Sequence, residues 1–294
     1  MKGLFGYLVV RALSGLASLL PEPVMRRLGY GVGYLRSFLS PRALAMAERH
    51  QRRIQGPEID ARRAGRRVFG NYGRYYAETF WIRPRRRQQI LDSSIVENLE
   101  GLQAAVAGPQ GIILAVAHLG NWEAAGLRSA AEGARVLAAA EGLANERLVR
   151  WFVEMRAVMD IDVVIVRRGI SVTPGLQRRL EDGGVVALMS DRDLKGRGIP
   201  VVLFGEQTTI PAGPLTLACR TGAVVLPVGV YHKPRAGHIF HIYPPLEVPG
   251  EGAFDERVQL GSRRLAGVLE DMIRRAPEQW HVLQPVWPSD REAS

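Results

Sequence analysis

The sequence predicts an α/β fold whose first third is helical and basic, and three observations carry that expectation. Residues 1–100 place apolar side chains at helical spacing, without a strand-like run. From about residue 111, short apolar runs rich in β-branched residues alternate with longer amphipathic stretches, the order of a largely parallel or mixed sheet with helical crossovers. At 294 residues and 47% hydrophobic, the chain can fill a complete core. The expected organisation is a helical, basic region over 1–100 followed by an α/β core over 101–294.

The elements follow in order. Met1 to Leu20 carries ten large apolar residues and stops at Pro21 and Pro23; Arg11 interrupts it, so no uncharged run is long enough to span a membrane. On a helix, Arg11, Ser14 and Ser18 share one side and leave a broad apolar remainder, as in a helix lying in a membrane surface. An ordinary core helix fits the same segment. Further helices are expected at Glu22–Phe38, Pro41–Ile54, Asp60–Trp81 and Arg86–Ser93. Strands are expected at Gly111–Ala117, Arg135–Ala139, Asp162–Val166, Val185–Met189, Pro200–Phe204, Val224–Tyr231 and His238–Tyr243. Helices are expected between them at Asn121–Glu132, Asn145–Met159, Val172–Glu181 and Gly213–Thr221, and after the last strand at Phe254–Arg275. Pro288 to Ser294 reads as a frayed tail.

Charge narrows the function. The net charge is +10, and residues 1–100 hold 18 Lys+Arg against 8 Asp+Glu, so the whole excess lies there. Only Lys2, Lys195 and Lys233 are lysines; the rest are arginines, whose planar donors suit phosphate. Anionic lipid and nucleic acid both fit such a surface, as does a merely solvated one. The apolar first helix and the aromatic residues Tyr72, Tyr75, Tyr76, Phe80 and Trp81 between arginine clusters favour lipid over nucleic acid. The one cysteine, Cys219, excludes a disulfide framework and multi-cysteine metal sites. No P-loop and no strand-led dinucleotide glycine motif is present. Asp191 and Asp193 could pair on a metal, but Arg192 between them offsets their charge and no histidine is close in sequence; no metal and no cofactor are expected.

The chemistry centres on Ala115-Val116-Ala117-His118-Leu119-Gly120-Asn121-Trp122-Glu123. A buried strand delivers His118 to its carboxyl end, Gly120 permits a tight turn, and Glu123 falls in the first turn of the next helix. Glu123 could then hold the proton on Nδ1 and leave Nε2 to take one from a hydroxyl nucleophile. A hydrogen-bonded structural histidine is the plainer reading of His118 alone. The apolar strands around Leu114 and Leu188 could line an acyl tunnel. His50, His232, His238, His241 and His281 read as surface or structural groups, and Trp280 and Trp287 as anchors of the C-terminal segment.

His118 with Glu123 resembles the His-x4-Asp/Glu signature of the glycerolipid-type acyltransferases, and His-Leu-Gly-Asn-Trp-Glu is similar to the lipid A late acyltransferase branch. Asp191-Arg192-Asp193, Leu203-Phe204-Gly205-Glu206, Pro211-Ala212-Gly213-Pro214 and Arg220-Thr221-Gly222-Ala223 match that branch in order. Glu278-Gln279-Trp280-His281-Val282-Leu283-Gln284 resembles its actinobacterial phosphatidylinositol mannoside acyltransferases. The resemblance implies a glycerolipid-acyltransferase-like α/β sandwich core with a membrane-associating N-terminal extension. It implies transfer of a fatty acyl group from acyl-CoA to a mannose hydroxyl of a phosphatidylinositol mannoside, peripherally at the cytoplasmic face of the plasma membrane. By position, His118 is the base, Glu123 its partner and Asp191 a further catalytic acid, while Glu141, Arg156, Arg168, Arg192 and Asp193 are candidate substrate contacts. Two alternatives stand beside this reading: a lipid A-type acceptor, and a non-catalytic basic protein that binds lipid or nucleic acid.

Overall fold

The computed structural model describes residues 2–142, 144–167, 171–193 and 196–292; the side chains of residues 2, 3, 5, 141 and 292 fall outside that description. The first third is helical: α1 (Lys2–Leu19), α2 (Glu22–Arg36), α3 (Pro41–Gln55), α4 (Ala61–Trp81) and α5 (Arg87–Ser93). Then come β1 (Ile95–Glu97), α6 (Leu99–Ala107), β2 (Ile112–Val116), α7 (Trp122–Ala131), β3 (Val136–Glu141), α8 (Glu146–Val158), β4 (Asp162–Val166), α9 (Thr173–Glu181) and β5 (Val185–Met189). The chain closes with β6 (Ile199–Leu203), β7 (Glu206–Ile210), α10 (Gly213–Thr221), β8 (Val224–His232), β9 (His238–Ile242), α11 (Phe254–Arg275) and α12 (Pro288–Glu292).

Seven strands form one sheet in the order β1-β9-β8-β2-β5-β3-β4, parallel throughout except between β8 and β9. The α/β expectation is borne out. The central strand β2 is buried along its whole length, and its alternate residues feed two apolar layers. Ile113, Ala115 and Ala117 pack with Leu265, Leu269 and Met272 of α11. Ile112, Leu114 and Val116 pack on the opposite layer, with Leu127 of α7 and Met159. A separate hairpin, β6–β7, turns through Phe204 (φ 51°) and Gly205 (φ 79°), a pair of left-handed residues suited to a two-residue hairpin.

Four elements were not foreseen, helix α6 among them. The edge strand β1 is too short for a period to declare itself, and it places part of the sheet before residue 100. Strand β7 reads Glu-Gln-Thr-Thr-Ile, a polar string with one face exposed. Of the tail expected to fray, Pro288–Glu292 instead forms α12, with the carboxylate of Asp290 fully buried, while residues 293 and 294 lie outside the described residues. That carboxylate accepts backbone N–H bonds from Val286 and Trp287 and faces His50 Nε2 at 3.1 Å.

The first helix is inside out by the standards of a soluble protein. Ser14 is 2% exposed, its hydroxyl donating to the Phe80 carbonyl and receiving Arg83. Leu16 and Leu19 are 64% and 73% exposed. On α2 the outward residues include the apolar Val24, Leu28, Val32 and Leu35, with Arg27 and Arg36 exposed beside them. Among the described residues no helix is long and apolar enough to cross a membrane.

Helices α2 and α4 meet backbone to backbone through Gly29, Gly33 and Gly73. A Cβ on Gly33 would stand 2.1 Å from the Phe69 carbonyl oxygen, and one on Gly73 would stand 2.3 Å from that of Gly29. Backbone cannot yield as a side chain can, so Gly33→Leu should cost at least about 3 kcal/mol. Gly31→Ala, on the open side of the same helix, should be neutral or slightly stabilising. Paired thermal melts check both.

Candidate active site

The parallel pairing of β2 with β5 sets the geometry. Val116 lies opposite Met189, and the Ser190 N–H donates to the Val116 carbonyl. Two residues further on, His118 and Asp191 therefore sit side by side past the strand ends. His118 Nδ1 is 2.8 Å from Asp191 Oδ1, and the His118 backbone N–H donates to Asp191 Oδ2 at 3.0 Å. A carboxylate only accepts, so Nδ1 carries a proton, and in the neutral imidazole Nε2 keeps its lone pair. The indole N–H of buried Trp280 donates to Asp191 Oδ2 at 2.7 Å. Burial raises the Asp191 pKa, but the facing His118, its hydrogen bond and the indole N–H outweigh it, and the carboxyl lies below its ordinary range.

This corrects the expected partner of the histidine. Glu123 does not hold Nδ1; it is buried against Arg156, whose Nη2 lies 2.7 Å from Oε1 and whose Nε donates to both carboxylate oxygens at 3.1 Å. Burial lowers the Arg156 pKa, but Glu123 outweighs it and the net shift is upward. Gly120, at φ 61°, turns the chain where a Cβ would strike the Val230 carbonyl oxygen at 2.3 Å. Asn121 then caps α7, accepting from the N–H groups of Glu123 and Ala124. Trp122 lies against Tyr75, ring centres 4.2 Å apart, and stands edge-on to His118 at 5.7 Å.

The C-terminal segment locks this loop. The His281 N–H donates to the His118 carbonyl at 2.7 Å, the Gly120 N–H donates to that of Gln279 at 3.2 Å, and Leu119 bridges to Trp280. His281 Nε2–H donates to the Gly120 carbonyl at 3.0 Å while its ring stacks on Tyr72. Trp280 thus anchors the segment and also holds the carboxylate, a role that reading the sequence missed, although the Glu278–Gln284 string was the signal for it.

Below His118 lies a cavity of about 350 Å³. Since β2, β3 and β5 run in parallel, Val136 at a strand start and Ile161, with Gly126 and Ser129 of α7, line its deep end. His118, Trp122 and Tyr76 line the mouth. Leu114, Val116, Ala138, Ala187 and Met189 form an apolar wall in which alanines leave room. Leu188 points to the opposite layer, as strand alternation demands, and lines nothing here.

The remaining expected residues are scattered. Arg192 Nη1 donates to Gln284 Oε1 at 2.8 Å. Asp193 accepts from the Gly198 N–H and the Thr209 hydroxyl, fixing the approach to the β6–β7 hairpin rather than pairing with Asp191. Glu141 ends β3 with its side chain outside the described residues, and Arg168 lies outside them altogether. Among the described residues, Glu78, His232 and His238 form one buried group with metal-ligand spacing. Arg26 Nε stands 2.8 Å from Glu78 and Arg26 Nη2 3.1 Å from His238 Nε2, so a guanidinium already occupies the position a cation would take.

Burial also sets an acid limit. It pushes the imidazoles of His232, His238 and His281 down, the last to about 4. The unfolded chain therefore binds more protons below about pH 6.5, and stability present above that value should be lost as pH falls towards about 4. His281 alone accounts for about 3 kcal/mol of that loss. Denaturant melts at a series of pH values check the slope, and His281→Gln should flatten it.

The sequence profile of the bacterial lipid A biosynthesis acyltransferases matches residues 2–289. A phosphatidylinositol mannoside acyltransferase of Mycobacterium tuberculosis (strain ATCC 25618 / H37Rv) is 34% identical over 228 residues, 76% of this chain and 70% of that protein. One of Mycolicibacterium smegmatis is 31% identical over 285 residues, covering 90% of this chain and 91% of the relative. With His118 held by Asp191 over an apolar cavity, and with these likenesses running along nearly its whole length, the chain belongs to the bacterial lipid A biosynthesis acyltransferase family.

Proposed function

We propose that this acyltransferase moves a long-chain fatty acyl group from acyl-CoA to a mannose hydroxyl of a phosphatidylinositol mannoside, with His118 as general base and Asp191 as its orienting carboxylate. One observation carries the reading: an imidazole with its free Nε2 at the mouth of a deep, alanine-walled apolar cavity. The thioester is already activated, so the protein supplies proton removal, alignment and charge stabilisation. Nε2 takes the hydroxyl proton as the sugar oxygen attacks the thioester carbonyl carbon. The tetrahedral intermediate then expels the CoA thiolate, which takes that proton back from the imidazolium. Asp191 keeps the ring in one tautomer and offsets the imidazolium charge. Glu123 and Arg156 form a neutral pair that shapes the cavity wall. The acceptor is read from the names of the relatives. The outward apolar sides of α1 and α2 then serve as the surface laid on the cytoplasmic face of the membrane.

The direct test is native protein with palmitoyl-CoA and a panel of phosphatidylinositol mannosides and lipid A precursors, with products read by mass spectrometry. Acylated mannoside supports the reading; acylation of the lipid A precursor alone moves the acceptor, and no transfer at all defeats it. The cavity makes a second prediction. Ala187→Leu should lower kcat/KM for palmitoyl-CoA at least about tenfold by filling the wall, while butyryl-CoA turnover changes little. A chain-length series on both proteins measures the split.

A further inference from the structure

A second pocket, of about 260 Å³, opens between α2, α4 and the turn joining β8 to β9. Its walls include Arg26, Arg27 and Tyr30 of α2, Asn71 and Arg74 of α4, and Arg235 of the turn. Arg74 leaves α4 about 100° round the helix from Tyr75 and about 160° from Tyr76, the two α4 residues that line the catalytic cavity. Two of its arginines are built in. Arg26 is 3% exposed, bound to Glu22 at 2.9 Å, Glu78 at 2.8 Å and the Gly237 carbonyl. Arg74 is 8% exposed, bound through Nε to Glu78 and through Nη2 to the Lys233 carbonyl. Glu22 and Glu78 both lie buried behind these guanidiniums, and Glu278, near Tyr30, is paired with Arg67 at 2.9 Å. Arg27 and Arg235 are exposed on the rim. Four guanidiniums thus meet two inward carboxylates, which leaves the pocket positive. Val24 and Leu28, both exposed, flank Arg27 on α2, so the rim runs directly into the outward apolar face.

We propose that this pocket takes the phosphodiester of an anionic membrane phospholipid, with Arg27 and Arg235 as its clamps and the lipid chains lying along α2. Glu22 and Glu78 balance the two floor guanidiniums, so the net positive charge rests on Arg27 and Arg235, whose planar donors suit phosphate oxygens. A bare apolar face offers a membrane no such selectivity for headgroup charge. The inference rests on the reading of α1 and α2 as the membrane side, and it does not depend on the identity of the acyl acceptor.

The test uses the full chain, with sedimentation on vesicles of phosphatidylcholine and of phosphatidylcholine doped with phosphatidylinositol. Arg27→Ala/Arg235→Ala is compared with Arg62→Ala/Arg63→Ala, which removes equal charge from the exposed start of α4. Circular dichroism melts and acyl-CoA turnover in detergent confirm that both variants fold. The expected result is native preference for the doped vesicles, reduced by the pocket variant at least about tenfold more than by the control. Equal losses would mean general surface attraction and overturn the pocket while leaving the membrane side standing. No vesicle binding by native protein would overturn both. Titration with inorganic phosphate supplies the last arm: Arg27- and Arg235-dependent binding of free phosphate without any effect on vesicles would assign the pocket to a soluble phosphate and overturn the lipid claim.

Discussion

Substituting alanine for His118 should abolish acyl transfer to within the background rate, a fall of at least about 10²–10⁴ in kcat, while the melting transition stays near that of native protein. The side chain is partly open, and among the described residues its ring nitrogen bonds Asp191. The loop around it is held by backbone bonds that alanine keeps, from His281 to residue 118 and from Gly120 to Gln279. Activity and fold therefore separate at this position. Retained transfer would remove the imidazole from the mechanism, whereas a lowered melting temperature with matching activity loss would make it structural.

The second large effect falls on Asp191. Three donors converge on this buried carboxylate: the His118 Nδ1–H, the His118 backbone N–H and the Trp280 indole N–H. Asp191→Asn puts an amide NH₂ where only acceptors fit. Either a donor is left facing a donor, or the imidazole flips its proton to Nε2 and loses its basic lone pair at the cavity. A fall in kcat of about 10²–10⁴ is expected, with a much smaller change in KM. Trp280→Phe removes one donor and keeps most of the packing, so about tenfold is expected from it. If Trp280 acts through the carboxylate, adding Trp280→Phe to Asp191→Asn should cost little more. Additive losses in this cycle would leave Trp280 a packing residue.

Much of this was legible in the sequence. His118, Gly120 and Asn121 sit where the strand-turn-helix reading put them, because short-range rules govern a strand end, a left-handed glycine and a helix cap. The partner of the histidine was misread for the opposite reason. Glu123 is close along the chain, but the helix carries its side chain towards Arg156. Asp191 is distant in sequence, and only the pairing of β2 with β5 brings it alongside. Strand register is a tertiary fact that no local spacing encodes. The same limit hid the bond from Trp280, read only as an anchor, to Asp191, and the burial of Asp290 against His50. The first helix was the converse case: the polar stripe of Arg11, Ser14 and Ser18 was visible, and the structure turns its two serines inward onto Phe80, Arg83 and Arg85 while Arg11 stays exposed.

Chemical rescue bears most directly on the base. Acyl transfer by His118→Ala protein is followed as imidazole is added at several pH values, beside the native protein. The rate should climb with the concentration of neutral imidazole, partially restoring turnover, and native protein should be indifferent to the additive. Transfer by the variant at the native rate without imidazole would contradict the account.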